Sequence, residues 1–383
     1  MANDKALTNR VADFWLLGGA SLLVWLVMFV GSLFRDQSWA VSHHLQNSYA
    51  LFNTLALLVN YPHFLASYKL AYGGGSRFVK RNWFQLMAVP MALFLFMGYG
   101  VWHFSTPSKE LRFTDTMNSV FSFFGIETLI GVNPNIGTEY INILINIMYL
   151  TVGWHYTKQI YGCMMVYARF DGYTLSNLQR RLIRWNLYGI WFLSFVTNNI
   201  GFEYRTYFEA DYYTLNIPSS WKELSWVYLL ITLGLVCYFV FLKNKKEKRQ
   251  WPSANMLVPF VAMYVWWLPL FHQTEYYRNA VPFFHCLQYL VFIERVEWFH
   301  SSQMERSRQV SYRTLVVLGL IIAGFLFFEF IPSLLDTKFD TINTYGFWVY
   351  FVLFGIFLNI HHYFIDNVLW KLDDAKLKAA LFQ

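Results

Sequence analysis

Residues Leu224–Leu242 read LSWVYLLITLGLVCYFVFL, nineteen consecutive positions without a charged side chain. A helix of this length measures about 28 Å, which is close to the hydrocarbon thickness of a bilayer. The stretch Thr314–Phe328, TLVVLGLIIAGFLFF, has the same character over fifteen positions. Two such stretches predict that the chain crosses a membrane more than once.

The composition of the 383-residue chain also indicates a membrane protein. Hydrophobic residues make up 56% of it, aromatic residues 21% and charged residues only 14%, whereas soluble domains carry about 25% charged residues. The 38 Phe, 26 Tyr and 16 Trp are too many to bury inside one water-soluble core. A secreted domain, an ordinary soluble enzyme and a disordered scaffold are therefore excluded. We predict an all-α, polytopic helix bundle that forms a single transmembrane domain over residues 1–383.

The apolar segments and the basic residues together predict a topology. Ten spanning helices are expected at 14–34, 49–68, 84–104, 140–165, 185–203, 224–242, 254–271, 281–299, 314–331 and 344–369. The loops on one side hold 21 of the 30 Lys and Arg residues, and the loops on the other side hold 7. Because basic loops remain in the cytoplasm, both termini are predicted to be cytoplasmic. The net charge of +7 then reflects topology and contact with anionic lipid, not nucleic-acid binding.

One apolar segment does not fit this alternation of sides. Thr116–Ile130 lies between two outer loops. Counting it as a span would place the following basic loops on the wrong side. We therefore predict a re-entrant or interfacial segment.

Four of the predicted helices carry histidine inside the apolar span, at His63, His155, His285 and the tandem pair His361 and His362. Ionisable residues within membrane helices are costly, and they mark functional sites. His63, His155 and His361 lie about 14 to 17 residues from the outer ends of their helices, which places them within roughly 5 Å of one layer. His285 lies only about 4 residues from the outer end of the helix 281–299, at 1.5 Å per residue. The sequence leaves open whether His285 joins the others.

Neutral imidazoles that converge from several helices are typical ligands of iron, zinc and copper. Each ligating ring also needs a partner for its second nitrogen. Asp366, Gln159 and Tyr289 are the candidate catalytic and ligand-orienting residues, and Tyr61 and Tyr68 are further candidates near the ligands. The alternative is a set of hydrogen-bonded core histidines that only hold helix contacts.

Other membrane metal proteins have different histidine patterns. The sequence lacks the paired histidines on one helix that two stacked haems need, and it lacks the loop HxxxH clusters of di-iron desaturases. A mononuclear or dinuclear non-haem iron centre is favoured over a haem-binding electron carrier. A transporter or channel, with a polar path from Glu275 and His272 to Asp366, is the second alternative, although no internal repeat supports it.

Several short motifs resemble the Brp/Blh-type bacterial membrane β-carotene dioxygenases. They are Pro62-His63, Trp154-His155-Tyr156, Phe284-His285 running into Phe292, and His361 five residues before Asp366. The resemblance implies histidine-ligated iron, dioxygen as co-substrate, and a lipophilic substrate of the carotenoid, isoprenoid or fatty-acyl type, in a bacterial inner membrane. The chain departs from the family at Tyr289, where the family has a second histidine.

The tandem histidines pose a choice, because successive residues of a helix point about 100° apart. His362 lies one turn before Asp366, which could accept a hydrogen bond from it and fix its tautomer. The family-like spacing favours His361 instead, and a dinuclear site could use both. We predict that at least one is a ligand, with His362 preferred.

Overall fold

The computed structural model describes residues 5–32, 54–55, 57–107, 114–126, 135–268, 276–371 and 375–382. Its α-helices are α1 Arg10–Phe14, α2 Ala20–Ser32, α3 Asn60–Gly73, α4 Gly75–Arg81, α5 Val89–Trp102, α6 Thr114–Phe123, α7 Ile136–Phe170, α8 Asn177–Thr197, α9 Ser220–Leu235, α10 Lys243–Lys248, α11 Ala254–Trp267, α12 Tyr276–Ser301, α13 Arg306–Phe325, α14 Ile331–Phe339, α15 Thr341–Tyr345, α16 Val349–Leu369 and α17 Ala375–Phe382. Short π-helical stretches at Trp15–Gly19, Phe84–Ala88, Val236–Leu242 and Leu326–Phe330 join some of them into longer rods.

The predicted all-α membrane architecture is confirmed in outline. Five helical segments are long and apolar enough to cross a membrane, namely Arg10–Val27, Phe84–Trp102, Ser220–Lys248, Arg306–Lys338 and Val349–Leu369. The last of these, α16, is the most buried of the five, and it packs against α3, α5 and α7. Much of the surface of the other four remains exposed, as expected for helices that face lipid.

The long helix α7 forms the other side of the core. Asn135 caps its first turn by accepting a hydrogen bond from the Thr138 amide, and the helix packs against α5, α8, α11 and α16. Gly153 allows α8 to approach closely, because a Cβ at this position would lie 1.8 Å from Cδ1 of Trp191. The backbone of α7 is thereby fixed two residues before His155.

A small antiparallel hairpin interrupts the helical fold, which the sequence did not predict. Strand β1, Tyr204–Tyr207, pairs with β2, Ala210–Tyr213. Phe208 and Glu209 form the turn with φ of 46° and 67°, the left-handed values of a type I′ hairpin turn. The hairpin is attached to α7, because the Tyr213 hydroxyl donates to Oε1 of Glu139 over 2.5 Å.

Several helix boundaries differ from the predicted ones. The helix predicted to end at residue 68 continues to Gly73, where Gly75 turns the chain with φ of 81°. The last predicted span divides at Gly346, φ 83°, into α15 and α16.

Helix α6 lies in the predicted re-entrant or interfacial segment. It has ten residues, which are too few to span a bilayer. Residues 127–130 of that segment lie outside the described part of the chain. His272 and Glu275 lie outside it too.

The four helices that carry histidine run in the same direction. In each pair of neighbouring helices, residues with higher numbers on one helix contact residues with higher numbers on the other, as parallel helices do. For α7 and α12 the contacts are His155–His285 and Gln159–Gln288, and for α7 and α16 they are His155–Tyr363 and Lys158–Asn367. For α3 and α12 they are His63–Tyr289 and Lys69–Glu297. Spans that follow one another along the chain of a membrane protein alternate in direction. Two parallel spans are therefore separated in the chain by an odd number of other spans.

Candidate metal centre

Four histidines from four helices meet inside the bundle: His63 of α3, His155 of α7, His285 of α12 and His362 of α16. No more than 3% of any of these residues is exposed. The Nε2 atoms of His63 and His362 are 2.8 Å apart, and those of His155 and His285 are 2.9 Å apart. Potential ligand atoms of His63, His155 and His285 lie within 4.8 Å of one another.

His285 therefore shares the layer of the other histidines, which the sequence left open. Its helix begins at Tyr276, not at residue 281, and continues through Pro282. Proline normally marks a helix boundary in sequence, so the predicted start was placed too far along the chain. With the observed start, His285 lies well inside the helix and reaches His155.

Ser67 contacts the ring nitrogen of His362 that faces away from His63. Ser67 has one hydroxyl hydrogen, and it donates this to the Phe64 carbonyl over 2.7 Å. The Ser67 oxygen also lies 2.7 Å from Nδ1 of His362, and it accepts a hydrogen bond there when the imidazole proton is on Nδ1. A neutral imidazole with its proton on Nδ1 has a bare lone pair on Nε2. This lone pair is the one that points at His63, and it is the form that binds a metal.

Asp366 lies beside the histidines, although its contacts differ from the predicted ones. It was expected to orient His362, but Ser67 takes that role. One carboxylate oxygen, Oδ2, lies 3.5 Å from Nε2 of His362 and 3.8 Å from Nδ1 of His155. The other, Oδ1, accepts a hydrogen bond of 2.9 Å from the Tyr289 hydroxyl. Asp366, His155 and His362 form a second group whose potential ligand atoms lie within 4.8 Å of one another.

Gln159 supports the backbone of a predicted ligand and not its ring. Its Nε2 donates to the His285 carbonyl over 2.8 Å and to Oε1 of Gln288 over 3.0 Å. Gln288 in turn donates to the Leu17 carbonyl. This chain of amides fixes α12 between α7 and the N-terminal helical segment, which holds His285 at its height in the bundle.

The structure places His361 apart from these groups. Its Nδ1 lies 2.8 Å from the Tyr68 hydroxyl, and its ring contacts Tyr72 and Phe357. Its Nε2 is buried without a hydrogen-bond partner among the described residues. Of the tandem pair, His362 is the one that joins the cluster, as the spacing to Asp366 favoured.

Aromatic rings hold the imidazoles in place. Tyr156 stacks on His285 with ring centroids 3.7 Å apart, and Tyr363 stacks on His155 at 4.7 Å. Tyr289 meets His63 edge to face at 4.2 Å. Of these, only Tyr289 was predicted to lie near the site, while Ser67, Tyr156 and Tyr363 were missed. Tyr156 is adjacent to His155 and Tyr363 to His362, so proximity in sequence was the available signal.

Two acids of α12 have basic partners, as expected for charges in membrane helices. Glu294 pairs with Arg313, and Glu297 pairs with Lys69 at 2.5 Å. These ion pairs join α12 to α13 and to α3. The Lys158 ammonium donates to the amide oxygen of Asn367, which joins α7 to α16.

The donor set fits a metal ion. The two Nε2 pairs lie at hydrogen-bond distance, 2.8 and 2.9 Å. A cation with bonds of 2.0–2.1 Å at the tetrahedral angle would hold two nitrogens about 3.4 Å apart, so each pair would open by about half an ångström to receive it. The Nδ1 atoms of His63 and His285 are buried and have no hydrogen-bond partner among the described residues, so the second nitrogen of these two rings is not held by another group. A haem fits poorly, because two axial histidines need about 4 Å between their nitrogens, twice a metal–imidazole bond.

Three comparisons bear on whether this centre is shared with known proteins. Neither protein-family models, nor curated proteins, nor solved structures gave a match to the chain.

Proposed function

We propose that the protein is a membrane-embedded oxidoreductase, an oxygenase or oxidase, that depends on non-haem iron. His63, His155, His285 and His362 would hold a mononuclear or dinuclear centre. The observation that carries this proposal is the pair of Nε2 distances, 2.8 and 2.9 Å, between fully buried histidines of four helices. Iron held by imidazole with open coordination positions activates dioxygen, which would be the co-substrate.

The chain's own residues would prepare this site. Ser67, whose oxygen lies 2.7 Å from Nδ1 of His362, would hold the proton on that nitrogen and leave Nε2 free to bind. Tyr289 holds the Asp366 carboxylate through Oδ1. Gln159 fixes the backbone at His285. The surrounding aromatic side chains exclude water, which strengthens the electrostatic interactions inside the site.

The substrate would be lipophilic, of the carotenoid, isoprenoid or fatty-acyl type. The centre lies between helices with apolar outer faces, so an apolar molecule could reach it sideways from the lipid. The resemblance to the Brp/Blh-type dioxygenases supports the same class of substrate.

We place this centre in a ten-span protein of a bacterial inner membrane, with both termini in the cytoplasm. The common direction of α3, α7, α12 and α16 supports this topology, because the predicted arrangement has an odd number of spans between each of them. The short helix α6 supports it as well, since counting α6 as a span would reverse α7 relative to α3.

Oxygen uptake tests the proposal. The iron-loaded protein in lipid nanodiscs would be supplied with ¹⁸O₂ and, in turn, with a carotenoid, an isoprenoid quinol and a fatty-acyl lipid. We expect oxygen consumption with one class, and a product that carries ¹⁸O for an oxygenase or has lost hydrogen for an oxidase. A His63→Ala variant is the control.

Three results would contradict the proposal. The first is iron binding without oxygen uptake in the presence of any of these substrates. The second is ion flux in proteoliposomes without chemical change, which would support the transporter. The third is a Soret band in the purified protein, which would support the haem-binding carrier.

A further inference from the structure

We infer that Asp366 is itself a ligand of the metal, so that the centre combines imidazoles with one carboxylate. This inference rests on the proposed metal site and adds to it a charged ligand. A mixed nitrogen and oxygen set suits a divalent ion such as Fe²⁺, Mn²⁺ or Zn²⁺ better than Cu⁺, which prefers soft sulfur ligands.

The geometry carries the first step. Oδ2 of Asp366 lies 3.5 Å from Nε2 of His362. Two ligand atoms at the tetrahedral angle on an ion with bonds of 2.0–2.1 Å are about 3.4 Å apart. The distance from Oδ2 to Nδ1 of His155 is 3.8 Å, which is too long for a hydrogen bond. Oδ2 is therefore spaced as a fellow ligand of His362 and not as the acceptor that orients His155.

The second step compares Asp366 with other buried carboxylates of the chain. Asp336 accepts hydrogen bonds from Thr341 Oγ1 at 2.5 Å and from the amides of Tyr350 and Phe351 at 2.9 and 2.8 Å. Those donors satisfy both of its oxygens. Asp366 instead accepts the Tyr289 hydroxyl on Oδ1 and turns Oδ2 toward histidine nitrogens. Oδ2 is thus the carboxylate oxygen that faces the imidazole nitrogens.

Charge balance supplies the third step. A divalent ion held by four neutral imidazoles keeps its full charge in a region of low dielectric, and a buried carboxylate without a cation is also costly. Lys158, on the neighbouring face of α7, is engaged with Asn367 and lies over the Trp154 ring at 3.9 Å. Direct ligation lets the ion and the Asp366 carboxylate compensate each other.

Infrared difference spectroscopy tests the inference without measuring activity. Spectra of the Zn²⁺-loaded minus metal-free protein would be recorded with ¹³C-labelled aspartate. We expect a labelled carboxylate band to shift on metal binding in the wild type and in Asp336→Asn, and to be absent from Asp366→Asn. Chelator competition should show that Asp366→Asn lowers Zn²⁺ affinity by more than the roughly 10- to 100-fold typical of residues that only support a ligand.

The outcomes separate this inference from the proposal on which it rests. If the wild type binds no Zn²⁺ and no Fe²⁺, the proposed centre is wrong and the inference is overturned with it. If metal binds but no aspartate band shifts, the centre stands and the inference is overturned alone. The wild-type spectrum decides even if the Asp366→Asn variant does not fold.

Discussion

His63 and His362 bring their Nε2 atoms to 2.8 Å although 299 positions separate them in the chain. The hydroxyl oxygen of Ser67 lies 2.7 Å from Nδ1 of His362, and with the imidazole proton on Nδ1 the His362 lone pair faces His63. Either His63 donates its own Nε2–H to this lone pair, or a cation lies between the two. The second arrangement also engages His155 and His285, whose Nε2 atoms show the same close approach at 2.9 Å.

Single replacement of the tandem histidines should give opposite results. His362→Ala should abolish stoichiometric metal binding, because it removes a nitrogen of the cluster. His361→Ala should leave the metal content unchanged, because its ring contacts Tyr68 and lies outside both ligand groups. Metal analysis of the two purified variants checks this. Full metal content in His362→Ala would remove α16 from the centre.

Ser67→Ala should weaken metal binding by about 10- to 100-fold, as is typical when a ligating histidine loses its supporting partner. The His362 ring would then be free to adopt the other tautomer. Ser225→Ala is the matched control, because Ser225 is also buried but donates only to its own helix at the Trp221 carbonyl. Chelator competition measures both affinities. Equal affinities for the two variants would show that Ser67 does not set the tautomer.

Two glycines of α7 should respond oppositely to alanine. Gly153→Ala forces a Cβ to within 1.8 Å of Trp191, and overpacking of this kind costs about 1–3 kcal/mol. Gly162→Ala meets no atom within 4 Å and should stabilise the helix by about 0.5–1 kcal/mol. Thermal unfolding in detergent compares them. If Gly153→Ala unfolds no earlier than Gly162→Ala, the close packing of α7 on α8 is wrong.

The predicted sidedness can be tested with single cysteines. Cys237 is the exposed cysteine among the three of the chain, so Cys237→Ser provides the background. A membrane-impermeant thiol reagent should label Asp211→Cys on the β hairpin from outside intact cells. It should label Lys246→Cys in α10 only after the membrane is opened. Labelling of both from the same side would contradict the ten-span topology.

The sequence was sufficient to predict an all-α membrane protein and most members of the buried histidine cluster, because both depend on residue type at a given depth. Histidines within apolar helices are rare enough to be noticed one by one, and His63, His155 and His362 were found in this way. The position of His285 was uncertain because it depends on where α12 begins. A shift of a few residues at a helix end moves a side chain by several ångströms.

The features that the sequence missed depend on contacts between distant segments. Ser67 looks like an ordinary small residue of a membrane helix until His362 is placed beside it. The hairpin at Tyr204–Tyr213 was missed because its turn residues, Phe208 and Glu209, lack the Asn-Gly or Asp-Gly signal of a type I′ turn. The stacking of Tyr156 on His285 depends on the rotation of α7 against α12, which no local pattern reveals.

The metal content of the purified protein is the decisive measurement for the proposed centre. The protein would be purified without oxygen or chelators, and iron, zinc and copper would be measured per chain, in parallel with a His63→Ala/His362→Ala double variant. We predict one or two ions per wild-type chain, with iron dominant, and none in the double variant. A wild-type sample without stoichiometric metal, or a double variant that keeps it, would contradict a histidine-bound metal centre in this protein.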